Sequence, residues 1–255
     1  MKLFLLAITF CATHIYTECP MNQTLAYFET CYEKLYPATE NSDEAFAWFS
    51  DIPHPLFNAV MHLSCKDVRA KIDALIEKVP ANNPISFWVH PVNQAEGLVE
   101  ILNEKGFAPI ITCPLMTWPV APIKALEYDI RFVEENRDPF NRITGEAFHL
   151  DGIILQKYSN ILETMDLEKY LLFINDEPVA TGVLCPHGDI GGIFNIAVLQ
   201  EHQKNGYGRA MMTFLMHRGN ELGLKQLVLM SSPVAEKLYS DLGFEKIFDI
   251  EIYSR

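Results

Sequence analysis

A strand, a proline-containing turn and a helix that stops at Gly-Phe occur twice in this chain. That repetition restricts the possible fold more than any other feature. The first copy is SFWVHPVNQAEGLVEILNEKGF, ending at Phe107, and the second is KQLVLMSSPVAEKLYSDLGF, ending at Phe244. In each, a short apolar run suited to a buried strand precedes the turn, and a glycine follows the helix, where a left-handed residue ends it. Duplication of such a unit implies two halves of related topology. A glycine-stopped helix is common, so coincidence is the competing reading.

The rest of the chain follows the same alternation. Residues 22–36 carry apolar positions at helical spacing and stop at Pro37, and 39–44 reads as an acidic loop. Short strands are expected around 46–50 and 56–63, then a helix over Val68–Val79, a strand over Ile85–Val89 and a helix over Gln94–Lys105. The segment 109–122 (PIITCPLMTWPVAP) is the best boundary, because its prolines interrupt helix and ladder alike. Beyond it, 128–133 reads as a strand, and 138–149 and 159–168 as helices. A hairpin joins 169–174 to 179–185 through Asn175-Asp176-Glu177-Pro178. Strands over Ile193–Leu199, Gln226–Met230 and Ile247–Tyr253 then alternate with helices over Gly208–Leu222 and Pro233–Leu242. The pattern predicts an α/β (α+β) protein with a mixed sheet.

Composition narrows the function. The 255 residues carry a formal charge of −13, which excludes a sequence-blind nucleic-acid binder. The charge fits cationic partners such as amines, and equally fits solubility alone. Six cysteines include no CxxC pair and eight histidines no HxxxH or HExxH spacing, so reduced thiols and no metal are expected. No apolar run approaches the ~18–20 residues that span a bilayer. Lys2 followed by Leu3 to Ala12 resembles a short signal peptide, yet no A-x-A site follows and Met21 is an alternative start. The cytoplasm is the expected location, with secretion as the alternative.

The chemistry concentrates in IFNIAVLQEHQKNGYGRAMMTFLMHRG, residues 193–219. A strand runs into Gln203-Lys204-Asn205-Gly206-Tyr207-Gly208 and a helix starts at once. Such a junction aims free backbone N–H groups and the positive end of a helix dipole at one point, which suits a pyrophosphate. Gly206 and Gly208 would let the backbone approach the anion, and Lys204 and Arg209 add positive charge. The loop is neither a Walker A nor a full GxGxxG fingerprint.

Here the sequence resembles the GNAT superfamily of N-acetyltransferases, whose Q/R-x-x-G-x-G/A signature Gln203, Gly206 and Gly208 match. Phe194-Asn195-Ile196-Ala197-Val198 is similar to the preceding strand in members that acetylate protein N-termini, and Ala235 to Phe244 to the family's A-x-x-L-Y-x-x-L-G-F segment. The front half, with HPLFNAV at 54–60 and FWVHP at 87–91, resembles the N-terminal region of two-part bacterial members.

The resemblance implies a GNAT fold with a mostly antiparallel sheet and a tandem of GNAT-like halves. Residues 1–21 would be an extra segment, 22–122 a degenerate half and 123–255 the catalytic, acetyl-CoA-binding half. An isolated 122–255 fragment, if it folds, is then expected to keep cofactor binding and lose acceptor specificity. Acetyl-CoA would lie on Ile196, Ala197, Val198, the loop Gln203, Lys204, Asn205, Gly206, Tyr207, Gly208 and Arg209, and Ser232. Backbone N–H groups near Ala197 and Val198 would polarise the thioester. Ser232 would bond pantetheine or cap the helix that begins at Pro233.

Tyr239 matches the general acid that protonates the departing sulfur. Leu227 stands where N-terminal acetylating members carry an acidic residue, which leaves the base open among Glu146, His149, Asp189, Glu201, His202 and water. The expected function is acetyl transfer to a small-molecule or peptide amine. The alternative is a non-catalytic acyl-CoA-binding or sensing protein.

Overall fold

A computed structural model of the chain describes residues 20–35, 38–81, 83–92, 94–133, 137–163 and 167–255. The signal-like stretch, Cys11, Cys19, Pro37 and Asn82 lie outside the described residues. The front half comprises α1 (Pro20–Leu35), β1 (Glu40–Asn41), β2 (Ala45–Phe49), β3 (Asn58–Leu63), α2 (Val68–Lys78), β4 (Ser86–Val89), α3 (Leu98–Glu104) and β5 (Ala108–Pro119). The back half opens with β6 (Asp129–Phe132), α4 (Asp138–Phe148), α5 (Gly152–Glu163), β7 (Glu168–Ile174) and β8 (Glu177–His187). It continues with β9 (Ile190–Val198), α6 (Tyr207–Glu221), β10 (Gln226–Met230), α7 (Glu236–Asp241) and β11 (Glu245–Ser254).

All these strands form one 11-stranded sheet, ordered β1-β2-β3-β4-β11-β5-β10-β9-β8-β7-β6. Among the described residues its ladders are antiparallel except for β3 with β4 and β9 with β10. The repeat explains that order. Each copy ends in a long strand that crosses to the other half: β5 pairs with β10, β11 pairs with β4, and the two pair with each other in the middle. An approximate two-fold axis therefore passes between β5 and β11. Local geometry repeats too. Gly106 and Gly243 both take left-handed φ, 81° and 93°. The Phe107 amide bonds the Leu102 carbonyl at 2.9 Å and the Phe244 amide bonds that of Tyr239 at 3.0 Å, so Leu102 and Tyr239 are equivalent.

Helices cover both faces. Leu227 and Leu229 of β10 pack with Met211, Met212, Leu215 and Met216 of α6. Val228 faces the other way, into a core that holds α1 with Trp48 and Trp88. A Cβ on Gly192 would lie 2.8 Å from Cys31, so glycine there lets α1 settle closely on β9. Front-half α1 thus lies beneath back-half strands. The α2–α3 pair covers β2 to β4, and α4 and α5 cover β7 to β9. Among the described residues no helix is long and apolar enough to cross a membrane.

Several expectations need correction. The proline-rich segment expected to interrupt the ladder is instead the 12-residue strand β5. Pro109 and Pro119 sit at its ends. Pro114 turns its backbone toward β10 just where that strand stops, and its carbonyl accepts from Ser231 N–H at 2.8 Å, so its missing N–H leaves no partner wanting. The helix expected over 159–168 runs from Gly152, its first turn tied by Asp151 C=O to Ile154 and Leu155. The helix expected from Gln94 starts at Leu98, because the Ala95 amide bonds the Leu63 carbonyl instead. The hairpin turns on Asn175 and Asp176 alone, both at positive φ as a two-residue type I′ turn requires.

Candidate active site

The site begins where two parallel strands part. β9 and β10 are paired at Ile190–Gln226, Gly191–Leu227 and Gly192–Val228, and no further. Beyond that point β10 bends toward β5 through the Ser231–Pro114 bond, while β9 stays with β8. β9 also bulges: Asn195 takes φ 54° and the β8 register shifts opposite it. Asparagine tolerates that left-handed conformation better than most residues. Its side chain donates to Thr144 Oγ1 at 2.9 Å, and its carbonyl accepts from Thr181 Oγ1 at 2.9 Å. These bonds fasten the bulge to α4 and β8.

After β9 the chain makes a short 3-10 turn at Gln200–His202 and enters α6 through Gly206, at φ 84°. The first intrahelical bond runs from Ala210 N–H to Gly206 C=O, which leaves the amides of Tyr207, Gly208 and Arg209 without an intrahelical acceptor. No side chain caps this end, and a Cβ on Gly206 would have no atom within 4 Å. Gln203 donates to Val198 C=O at 3.3 Å and Asn205 to His202 C=O at 3.2 Å, so both shape the loop. Arg209 reaches Asp241 at 3.5 Å. These features fit an anionic group: open amides, a glycine that keeps the approach clear, and a helix dipole pointing outward.

Between the parted strands lies a cavity of about 370 Å³. Its back-half wall includes Ile196 beside the bulge, Leu229 and Met230 of β10, and Ser232, Ala235 and Tyr239 around α7. Phe148 and Leu150 close it from the α4–α5 connection, with Tyr158 of α5. The front half supplies Tyr32 of α1 and His54, Leu56 and Phe57 of the loop before β3. The rings fall into two groups: His54 lies 5.4 Å from Phe57 and Phe57 5.3 Å from Tyr158, while Tyr32 lies 5.5 Å from Phe194.

Tyr239 is buried, and no described group hydrogen-bonds its hydroxyl. Burial pushes its pKa up to about 12, so it holds its proton throughout the neutral range. Burial also drives the tyrosines 32 and 158 well above the ordinary range and lowers the pKa of His54. His54 Nδ1 accepts the Leu56 amide at 3.3 Å, which assigns the ring hydrogen to Nε2.

Of the residues expected to hold the cofactor, Ile196 and Ser232 line the cavity and the 203–209 loop lies past the end of β9. Ala197 is turned into the α4–α5 core and Val198 packs toward α6, so these two offer only backbone. Ser232 C=O accepts from the Ala235 amide at 3.0 Å. Among the candidate bases Glu146, His149, Asp189, Glu201 and His202, none lines the cavity. Leu227 is fully buried against Gly191 and Gly219, far inside the α6 core. An acid at that position would reach no substrate, so its identity says nothing about a base.

Of the front-half aromatics, Phe57 lines the cavity, while Phe46, Trp48, Phe87, Trp88 and Trp118 are core residues. Sequence reasoning missed His54, Tyr32, Tyr158 and the Asn195 bulge. His54 and Phe57 sit within HPLFNAV, a segment already conspicuous, but nothing local said which of its side chains would face a cavity.

Comparison with known proteins places one domain and the fold. Residues 131–244 match the acetyltransferase (GNAT) family. That stretch, less than half of the chain, is a GNAT acetyltransferase domain. The fold of the whole chain is that of two-part GNAT proteins. It is similar to a GCN5-related N-acetyltransferase from Kribbella flavida at a TM-score of 0.68 and 15% identity, covering 91% of this chain and 94% of that one. A tandem GNAT protein from the clavulanic acid biosynthesis pathway superposes at 0.57 with 11% identity, covering 92% and 95%. A GCN5-related N-acetyltransferase from Sphaerobacter thermophilus gives 0.64 and 13%, covering 83% and 75%. No curated protein matches the sequence. Acyl transfer is the reaction class that goes with a GNAT domain.

Proposed function

We propose that this GNAT protein is an N-acetyltransferase that moves an acetyl group from acetyl-CoA to an amine by direct attack in a ternary complex. The uncapped, glycine-opened end of α6, past the parted strands, carries the reading, because free amides at a helix start suit a pyrophosphate. In this reading the amides of the 203–209 loop hold the diphosphate, the unpaired edge of β9 from Ile196 to Val198 binds the pantetheine arm as an added strand, and Ser232 hydrogen-bonds it. Backbone N–H groups near the bulge stabilise the oxyanion. The amine nitrogen bonds the carbonyl carbon, the C–S bond breaks, and the sulfur takes the Tyr239 proton; the surplus amine proton leaves through solvent. The 22–122 half acts as a degenerate partner that walls the acceptor side and binds no cofactor.

Acetyl-CoA with an amine library, monitored for thiol release, tests this. Release with at least one amine, and an N-acetyl product by mass spectrometry, is the expected result. Tight acetyl-CoA binding without release for any amine would make the chain an acyl-CoA-binding protein. The missing acid at Leu227 lends that alternative no support, since the position lies outside the cavity.

A further inference from the structure

Among the described residues, the cavity wall contains no aspartate, glutamate, lysine or arginine, although 33 acidic and 20 basic residues are spread over the chain. Its acceptor side is built from Phe57, Phe148, Tyr158, Phe194 and Leu56, with His54 as a neutral polar group. From this we infer that the acceptor is a primary amine on an apolar, ring- or chain-bearing body that has no second charge, and that the front-half loop 54–57 selects it. The inference rests on the acyl-transfer reading of the same site.

A second ammonium or a carboxylate on the acceptor would be taken out of water with no partner of opposite sign, which is strongly unfavourable. Aromatic faces attract a cation only weakly by comparison. An apolar body gains by burial in the same place. The wall also bears on reactivity: desolvation lowers an amine's pKa, so the cavity itself favours the uncharged nucleophile and needs no carboxylate base. His54, its Nδ1 lone pair held by the Leu56 amide, keeps only an N–H to offer and so is not placed to take the amine's proton. Phe148 is 45% exposed, which puts it at the mouth and makes it the place where charge can be added with little disturbance to the core.

The test measures kcat/KM for thiol release with acetyl-CoA and 2-phenylethylamine, hexylamine, spermidine, a lysine-bearing peptide or glycine, compared at equal free-base concentration. The two apolar amines should exceed the other three by at least about tenfold, given the cost of an unpaired buried charge. Phe148→Glu should move the spermidine-to-phenylethylamine ratio upward by about tenfold, because the second ammonium gains a partner. Wild-type preference for spermidine, the peptide or glycine, or equal rates across the panel, would overturn the inference and leave acyl transfer intact. An unchanged ratio in folded Phe148→Glu would also overturn it. Binding of acetyl-CoA without release from any amine would remove both the inference and the reading beneath it.

Discussion

The two halves share a strand–loop–helix unit on a parallel strand pair, and they finish it in opposite ways. In the back half the loop after β9 ends at Gly206 and leaves the start of α6 bare. In the front half the loop after β3 ends at Asp67, whose carboxylate accepts the Ala70 amide at 3.1 Å and caps α2. The protein's own anion sits at the helix start whose counterpart in the back half is proposed to take a phosphate. The strands differ as well. β9 and β10 part around a cavity, whereas the gap beyond β3 and β4 is filled by the chain between β4 and α3. There the Ala95 amide bonds the Leu63 carbonyl at 2.7 Å, and the buried His90 ring bonds the Met61 carbonyl at 2.9 Å. Tyr239 of α7 has Leu102 of α3 as its counterpart, buried and without a proton to give. One topology thus yields an open candidate site in one copy and a closed counterpart in the other, through a few residues at helix starts and strand ends.

Exchange of β5 and β11 means that the halves are not separable, and cutting them apart should have the largest effect. A chain beginning at residue 123 keeps α6, β10 and the loop but loses β5, which is the antiparallel partner of both β10 and β11. It also loses α1, which covers one face of β10. This fragment should lack a cooperative urea transition and bind no acetyl-CoA, contrary to what the sequence boundary suggests. A folded, cofactor-binding fragment would show that the exchanged strands are ornamental.

Tyr239→Phe should come next. It keeps the ring that packs near Phe244 and removes only the proton, so turnover should fall by on the order of 10²- to 10⁴-fold with cofactor affinity unchanged. Because burial holds the Tyr239 pKa up to about 12, wild-type kcat/KM should rise with pH as the amine deprotonates. It should show no alkaline fall up to roughly pH 10, the ordinary tyrosine value. Near-normal turnover in the variant, or an alkaline fall beginning near neutrality, would reduce Tyr239 to a packing residue.

Gly206→Val probes the open helix end directly. The backbone at φ 84° is strained for any branched residue, and a side chain there would occupy space that is open beside the helix start. Calorimetry should show acetyl-CoA binding weakened at least tenfold, about 1.4 kcal/mol. Equal affinity in a folded variant would place the cofactor elsewhere.

Much of this was legible because the signals were local. The repeat, the glycine stops and the 203–209 loop each follow from a few adjacent residues, and the structure keeps all three. What the sequence concealed depends on distant partners. Pro114 reads as a ladder-breaker until β10 is seen to end beside it. The cavity draws on Tyr32, His54 and Tyr158, more than a hundred residues apart at the extremes, and no periodicity marks them as neighbours. Leu227 invited a comparison with acids in relatives, yet its alternation along β10 turns it into the α6 core.

The smallest expected effect tests whether the front half is blocked by Asp67 alone. Asp67→Ala removes the cap of α2 and should cost about 1 kcal/mol of stability, within the usual range for a lost N-cap. Asp67→Asn keeps an acceptor for the Ala70 amide and loses only the charge, so any further change measures interaction with the helix dipole, at most about 1 kcal/mol at an exposed end. Urea denaturation of the three proteins separates the two contributions. Neither variant should bind a second acetyl-CoA, because the loop from β3 to α2 contains no glycine and the Ala95–Leu63 bond still closes the gap beyond the strands. Titration should therefore give one cofactor per chain in all three. Two equivalents bound to Asp67→Ala would mean that a single carboxylate separates scaffold from site, and that the filled strand gap is no barrier.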